Sequence, residues 1–265
     1  MTSWDSLLTV AQEAVDLAVS MIEQQSPGAI TWKGDRDMVS ALDIAIERAV
    51  QELLRRRTPH IGFLGEEGNS GQVTVPVTDL VWILDPIDGT ANFLHGLPLC
   101  GVSLGLIDRS HPVVGVIDLP YLRLRYTATQ GNGAYRGDHR LTASTTANLR
   151  EAIISTGGFT VGENTQQSLA LTTALAATVQ RVRMFGSAVA DLAWVAEGRL
   201  DGCIRLSNKP WDTAAGVLIA REAGAIVIDS DGSPHTLGSR ATIAVNKQLA
   251  DQLIALVQHV IEPEV

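Results

Sequence analysis

Cysteine is nearly absent from this chain: the two residues, Cys100 and Cys203, both sit inside apolar, strand-like segments. So small a supply excludes a disulfide framework and fits two buried thiols in a reducing cytosol. Positive charge is also short. Twenty Lys and Arg stand against 29 Asp and Glu, for a formal charge of -9 and a pI near 5.1, which argues against non-specific binding to nucleic acid. No uninterrupted apolar run approaches the ~20 residues a membrane-spanning helix requires, and the N-terminus carries no basic-then-apolar signal. Internal repeats and low-complexity tracts are missing as well. These absences together predict a soluble, cytoplasmic protein with neither nucleic acid nor membrane as a partner. At 265 residues the chain can bury a large core, and nothing in its composition marks a linker between two lobes.

What is present is concentrated in Trp82 to Phe93, WILDPIDGTANF. Asp85 and Asp88 stand three positions apart across a proline, directly after the apolar run Val81 to Leu84. Pro86 cannot continue a sheet ladder and Gly89 permits a tight turn, so the pattern predicts a strand that ends in a loop holding both carboxylates. Acids placed so close repel unless a cation joins them. Mg²⁺ is the usual solution, because it takes one or two carboxylates and fills its other positions with water and substrate phosphate. An acidic site that takes an anionic substrate needs such a metal.

Around this stretch the chain reads as two kinds of architecture. Residues 3 to 24 place Leu7, Leu8, Ala11, Ala14, Val15, Ala18 and Ile22 on one helical stripe. After a polar turn at Gly34-Asp35-Arg36-Asp37, a second helix runs to about Arg57, and its opening Ser40-Ala41-Leu42-Asp43 fits a capping box. On that plain reading Asp43 is a cap. Ile61 to Leu64 is a short strand followed by Gly65-Glu66-Glu67-Gly68; pairing of this strand beside Asp85 would pool Glu66 with Asp85 and Asp88. From Gly101 to Thr129, apolar segments separated by turn signals predict an antiparallel meander. Beyond residues 145 to 150 strands and helices alternate, which predicts a layered α/β lobe. The expected class is therefore α+β, with an antiparallel N-terminal sheet in a lobe spanning 1–148 and a mixed C-terminal α/β sheet in a lobe spanning 149–265. Asp212, in Trp211-Asp212-Thr213-Ala214-Ala215-Gly216, opens a helix and on the plain reading caps it.

Taken together, GEE at Gly65 to Glu67, DPIDGT at Asp85 to Thr90, GSA at Gly186 to Ala188 and WDTAAG at Trp211 to Gly216 resemble the inositol monophosphatase family of Mg²⁺-dependent, lithium-sensitive phosphatases, in order and in separation. The resemblance implies an αβαβα sandwich of two stacked sheets, usually in a homodimer, and two or three Mg²⁺ ions per site. It implies that Glu66, Asp85 and the Ile87 carbonyl hold the first ion, that Asp85, Asp88 and Asp212 hold the second, and that a third, weaker ion shares Glu66. Asp43 and Thr90 would polarise the attacking water. Gly89 and Thr90 would offer N–H groups to phosphate oxygens, and Asp88 with the Gly186, Ser187 and Ala188 segment would meet substrate hydroxyls. The chemistry agrees, since phosphate-monoester hydrolysis is among the slowest uncatalysed reactions and needs dense charge stabilisation together with an activated water.

One position departs from the family pattern. Seven residues before Asp212, where a glutamate is common, stands Arg205. A guanidinium accepts no hydrogen bond from a sugar hydroxyl but binds a carboxylate or phosphate, so Arg205 either meets a second anionic group on the substrate, as in a sugar bisphosphate, or points to solvent or pairs with a nearby acid. The expected substrate is myo-inositol 1-phosphate or a related cyclitol or sugar phosphate, with histidinol phosphate and fructose 1,6-bisphosphate as alternatives. A different class, a non-catalytic metal-dependent binding or regulatory module, would first relax Asp43, Thr90 or Glu66, and all three remain. His95 is expected to be a loop residue, and Trp82 and Trp211 packing supports.

Overall fold

The computed structural model describes residues 4–33, 38–68, 80–157 and 165–261. Helix α1 (Trp4–Gln24) buries Leu7, Ala11, Ala14, Val15, Ala18 and Ile22, the stripe its 3.6-residue period selects, with Leu8 packed at the margin. Strands β1 (Ile30–Trp32) and β2 (Met38–Ser40) pair antiparallel; the turn expected at Gly34 to Asp37 lies outside the described residues. Helix α2 (Ala41–Arg57) buries Leu42, Ile46, Val50 and Leu54 against α1 and carries Arg55, Arg56 and Arg57 in its last turn, where cations complement the dipole.

Seven strands then lie side by side in chain order: β3 (Gly62–Gly65), β4 (Leu80–Asp88), β5 (Gly101–Asp108), β6 (His111–Leu119), β7 (Leu124–Thr129), β8 (Gly133–Arg136) and β9 (His139–Arg140). From β4 onwards the pairing is the expected antiparallel meander, whereas β3 joins β4 in parallel. Strand β4 also outlasts the expectation. It does not stop before Pro86 but continues to Asp88, pairing Asp85 with Ser103 and then Asp88 with Gly101, so that one extra residue bulges out between them. The missing N–H of Pro86 breaks no bond because it falls in that bulge. A short helix, α3 (Thr90–Leu94), follows at once.

The second sheet orders its strands β11 (Arg181–Arg183), β10 (Ile153–Thr156), β12 (Gly202–Arg205), β14 (Thr242–Val245) and β13 (Ile226–Ile228). Its first three are parallel and its last two join antiparallel, the mixed sheet that alternation predicts. Helices α4 (Thr165–Thr178) and α7 (Ala250–Ile261) cover its outer face through Leu171, Leu175, Leu253 and Val257. Between the sheets lie α5 (Ala188–Ala196) and α6 (Pro210–Glu222). Val189, Ala193, Ala215 and Leu218 pack on Ile117, Leu119 and Tyr126 of the first sheet, while Leu192, Val195 and Val217 pack on Cys203, Val227 and Ala244 of the second. The layers therefore run helix, sheet, helix, sheet, helix. Close approach of α6 to the first sheet requires Gly105, where an added Cβ would stand 2.8 Å from the Ala214 Cβ. Both cysteines are buried, and burial pushes the Cys100 thiol up to about 12. Among the described residues no helix is long and apolar enough to cross a membrane.

Candidate active site

Val81, Trp82, Ile83 and Leu84 are buried on both faces of the sheet and lock β4, so its continuation carries Asp85 and Asp88 to fixed positions. The Ile87 N–H donates to Asp85 Oδ1 at 3.1 Å, a contact that holds the carboxylate over the bulge. Parallel pairing of Leu64 with Ile83 and Gly65 with Leu84 then delivers the next residue, Glu66, whose N–H donates to the Leu84 carbonyl at 3.2 Å. Gly89 turns the chain into α3 with φ +80°, and a Cβ there would come within 2.9 Å of the Leu99 carbonyl oxygen. Asn92 on α3 donates to Leu99 O at 2.7 Å and Phe185 O at 2.8 Å, tying this turn to the segment that leads into α5. From between the two sheets, the first turn of α6 brings Asp212.

Carboxylate oxygens of Asp85, Asp88 and Asp212 all lie within 4.8 Å of one another. They open into a cleft of about 190 Å³ that Glu66, Ile87, Gly89, Thr90, Gly186 and Arg205 also line. Other expected residues stand behind it. Ser187 and Ala188 are fully buried, and the Ser187 hydroxyl and the Ala188 and Val189 N–H groups, the latter at 3.1 and 3.2 Å, donate to Asp88. The N-terminus of α5 thus grips Asp88. Asp43 does make the capping box: Ser40 N–H donates to Oδ2 at 3.0 Å, the Ser40 hydroxyl donates to the same oxygen, and Asp43 N–H returns to Ser40 Oγ at 3.3 Å. Yet its Oδ1 is buried with no hydrogen-bond partner, so capping uses half of the group. Thr90 Oγ1 donates to the Ile87 carbonyl at 3.0 Å. Asp212 does not cap α6. The N-cap is Lys209, with no side-chain bond, and Asp212 lies two positions inside the helix.

Burial, then Glu66, Asp88, Asp212 and Asp43, raise the Asp85 carboxyl well above the ordinary carboxylate range. Asp88 is raised by burial against the opposing effects of Arg205 and its three donors. Burial and the Asp88 charge lift Asp212 to about 7, with Arg205 again opposing. A buried cluster whose members resist ionisation, built wholly of oxygen donors, fits a hard divalent cation, which would supply the missing positive charge. The orphaned Asp43 oxygen fits the same picture, being an acceptor without a donor.

Arg205 pairs with acids: Nη1 is 3.5 Å from Asp191 Oδ2 and Nη2 is 3.9 Å from Asp212 Oδ2. Sequence reasoning missed Asp191, which is fully buried on α5. It also missed Glu47, which is buried and accepts the Glu67 N–H at 2.7 Å, and Lys33, whose ammonium is 3.3 Å from Glu66 and 2.6 Å from Glu67. Glu47 had a signal, because it follows Asp43 by one helical turn and lies beside buried Ile46. Lys33 had none, since its partners are distant in sequence. His95 is an exposed C-cap of α3. Trp82 is buried and donates to Thr58 Oγ1 at 3.0 Å; Trp211 packs with Leu64 and Ile83, as support for Asp212.

Residues 3–262 match the family model described as the inositol monophosphatase family. The inositol-1-monophosphatase of Rhizobium meliloti (strain 1021) is 37% identical over 232 residues, 86% of each chain. A Thermotoga maritima protein named fructose-1,6-bisphosphatase/inositol-1-monophosphatase is 32% identical over 231 residues, again 86% of each. Among solved structures, the extragenic suppressor protein suhB from Bartonella henselae superposes with a TM-score of 0.89 at 32% identity, covering 96% of this chain and 98% of that one.

Proposed function

The chain belongs to the inositol monophosphatase family and is a phosphoric monoester hydrolase; from that premise we propose Mg²⁺-dependent hydrolysis of myo-inositol 1-phosphate or a related cyclitol or sugar phosphate. The convergence of Asp85, Asp88 and Asp212 within 4.8 Å carries this reading. Glu66, Asp85 and the Ile87 carbonyl would hold one ion and Asp85, Asp88 and Asp212 another, with Asp85 shared and a third, weaker ion on Glu66. When bound, the ions supply charge to clamp the phosphate and lower the pKa of the attacking water.

The protein's own groups do the positioning. Thr90 gives its proton to the Ile87 carbonyl, so its lone pairs remain to accept from water, and Asp43 Oδ1 is a second acceptor with no competing donor. Two acceptors orient a water's lone pair towards phosphorus. Gly89 and Thr90 open α3, where first-turn N–H groups have no partner within the helix and suit phosphate oxygens. Asp88 reaches the cleft as well, and with the backbone at Gly186 it would accept substrate hydroxyls; Ser187 and Ala188 support this contact by holding Asp88.

On this reading the lobes spanning 1–148 and 149–265 each contribute acids to one site, in a lithium-sensitive cytoplasmic homodimer. The Thermotoga maritima name keeps fructose 1,6-bisphosphate as the leading alternative substrate, ahead of histidinol phosphate. A Salmonella typhimurium relative named Nus factor SuhB, 33% identical over 254 residues, keeps a separate regulatory role as an addition to turnover. Phosphate release is to be measured over a panel of these esters with Mg²⁺ and with EDTA. Turnover strongest on the inositol ester and lost in EDTA is expected; no Mg²⁺-dependent turnover on any ester would sink the proposal.

A further inference from the structure

Arg205 ends β12, the middle strand of the second sheet, and its stem runs past Gly157, where an added Cβ would meet the Arg205 Cγ and Cζ at 3.7 Å. That passage leads the guanidinium to the floor of the cleft, with its side chain 16% exposed. There it stands between Asp191, fully buried on α5, and Asp212, a member of the acid cluster. Neither contact is a tight, bidentate pair. At 3.5 and 3.9 Å both are longer than a good charge-assisted hydrogen bond, so the guanidinium is shared between two carboxylates and belongs to neither.

The position has an electrostatic consequence. Asp85, Asp88 and Asp212 crowd their charges in a buried space, and Arg205 lines the same cleft with Nη2 3.9 Å from Asp212 Oδ2. An arginine keeps its charge at any working pH. It is therefore a permanent occupant of the electrostatic field that a divalent ion at Asp88 and Asp212 would enter.

We infer that Arg205 is a resident counter-cation for the Asp88 and Asp212 side of the cluster: it steadies the metal-free fold and lowers the affinity of that side for its metal ion. Asp191 sets the strength of the effect, because its carboxylate draws the guanidinium away from Asp212. Arg205 touches no reacting atom; it is a tuning residue that acts through Asp212. The inference rests on the metal-centre reading proposed above.

The test is Mg²⁺ binding measured by calorimetry on EDTA-stripped, dialysed protein without substrate, so that no turnover is needed. Arg205→Gln should bind Mg²⁺ at least about tenfold more tightly, since a unit charge a few ångströms from a divalent ion acts strongly in a partly buried site, and its metal-free form should melt lower than the wild type. Arg205→Lys should stay close to wild type, because it keeps the charge. Asp191→Asn should shift affinity the opposite way, towards weaker binding, and so keeps the inference testable if Arg205→Gln fails to fold. Equal or weaker Mg²⁺ affinity in Arg205→Gln, or tighter binding in Asp191→Asn, overturns the inference while leaving the metal centre intact. Absence of Mg²⁺ binding in wild type and variants alike overturns the metal centre itself.

Discussion

At the scale of single residues the acid cluster pulls stability and function in opposite directions. Asp212 has an ordinary carboxyl pKa near 3.8 when unfolded and about 7 when folded, chiefly through burial. The folded state therefore binds more protons between those values, so Asp212 costs stability as pH rises through that window, and the cost is fully present above it. Asp212→Asn should accordingly stabilise the EDTA-treated protein at pH 7.5, by on the order of 2 kcal/mol, while reducing phosphatase turnover by about a thousandfold or more if it holds the metal as proposed above. Urea unfolding and phosphate release on the same preparation check both halves. A variant that loses activity and also loses stability would mean that Asp212 is held by a scaffold role. Most of the cluster was readable in the chain, because Glu66 follows a short apolar strand, Asp85 and Asp88 flank a proline after an apolar run, and Asp212 stands in the first turn of a helix. Asp191 was not, and Glu47 was only in part, through its place one helical turn after Asp43. Both sit in helices among apolar neighbours, and only the packing of distant elements shows that their carboxylates face Arg205 and the Glu67 N–H.

At the scale of elements, the start of α2 joins structure to chemistry through one side chain. Ser40 Oγ accepts the Asp43 N–H and caps the helix, while the Ser40 N–H and hydroxyl both donate to Asp43 Oδ2 and aim the other oxygen. Ser40→Ala removes the hydroxyl and should cost about 1 kcal/mol of stability, the ordinary value of a cap. It should also lower kcat by a larger factor than Ser40→Thr does, because Thr keeps the hydroxyl and Ala frees Asp43 to turn. Parallel kcat and denaturation measurements on the two variants decide this. Equal kcat in both would leave Ser40 as a cap alone. The capping box was legible from four consecutive residues, since its bonds are local. The bulge in β4 was not legible: Pro86 signals a broken ladder, but whether the strand stops or bulges is decided by β5, whose Ser103 and Gly101 resume the pairing on either side.

At the scale of the whole molecule, the meander and the later alternation of strands and helices announced two kinds of sheet, yet not that α5 and α6 would fill the space between them. Their sequences carry apolar residues on every face, and such a helix is buried on both sides whatever its partners. The stacking has a consequence for linkage, because it closes the second sheet over the acids of the first and makes the metal part of the folding balance. A ligand bound only by the folded state stabilises it by about 2.7 kcal/mol at a hundredfold excess over its Kd. Mg²⁺ should thus raise the Tm of the EDTA-stripped protein at pH 7.5. The increment should shrink on acidification towards pH 5.5, since Asp212 is lifted to about 7 and takes up a proton that competes with the ion in that range, and the upward shifts of Asp85 and Asp88 act in the same direction. Without metal the sign reverses. Raised carboxyls make acidification stabilising, and the difference between wild type and Asp212→Asn isolates their share from every other titrating group. A Mg²⁺ increment that stays constant between pH 5.5 and 7.5 would show that the ion is held elsewhere than on these buried carboxylates.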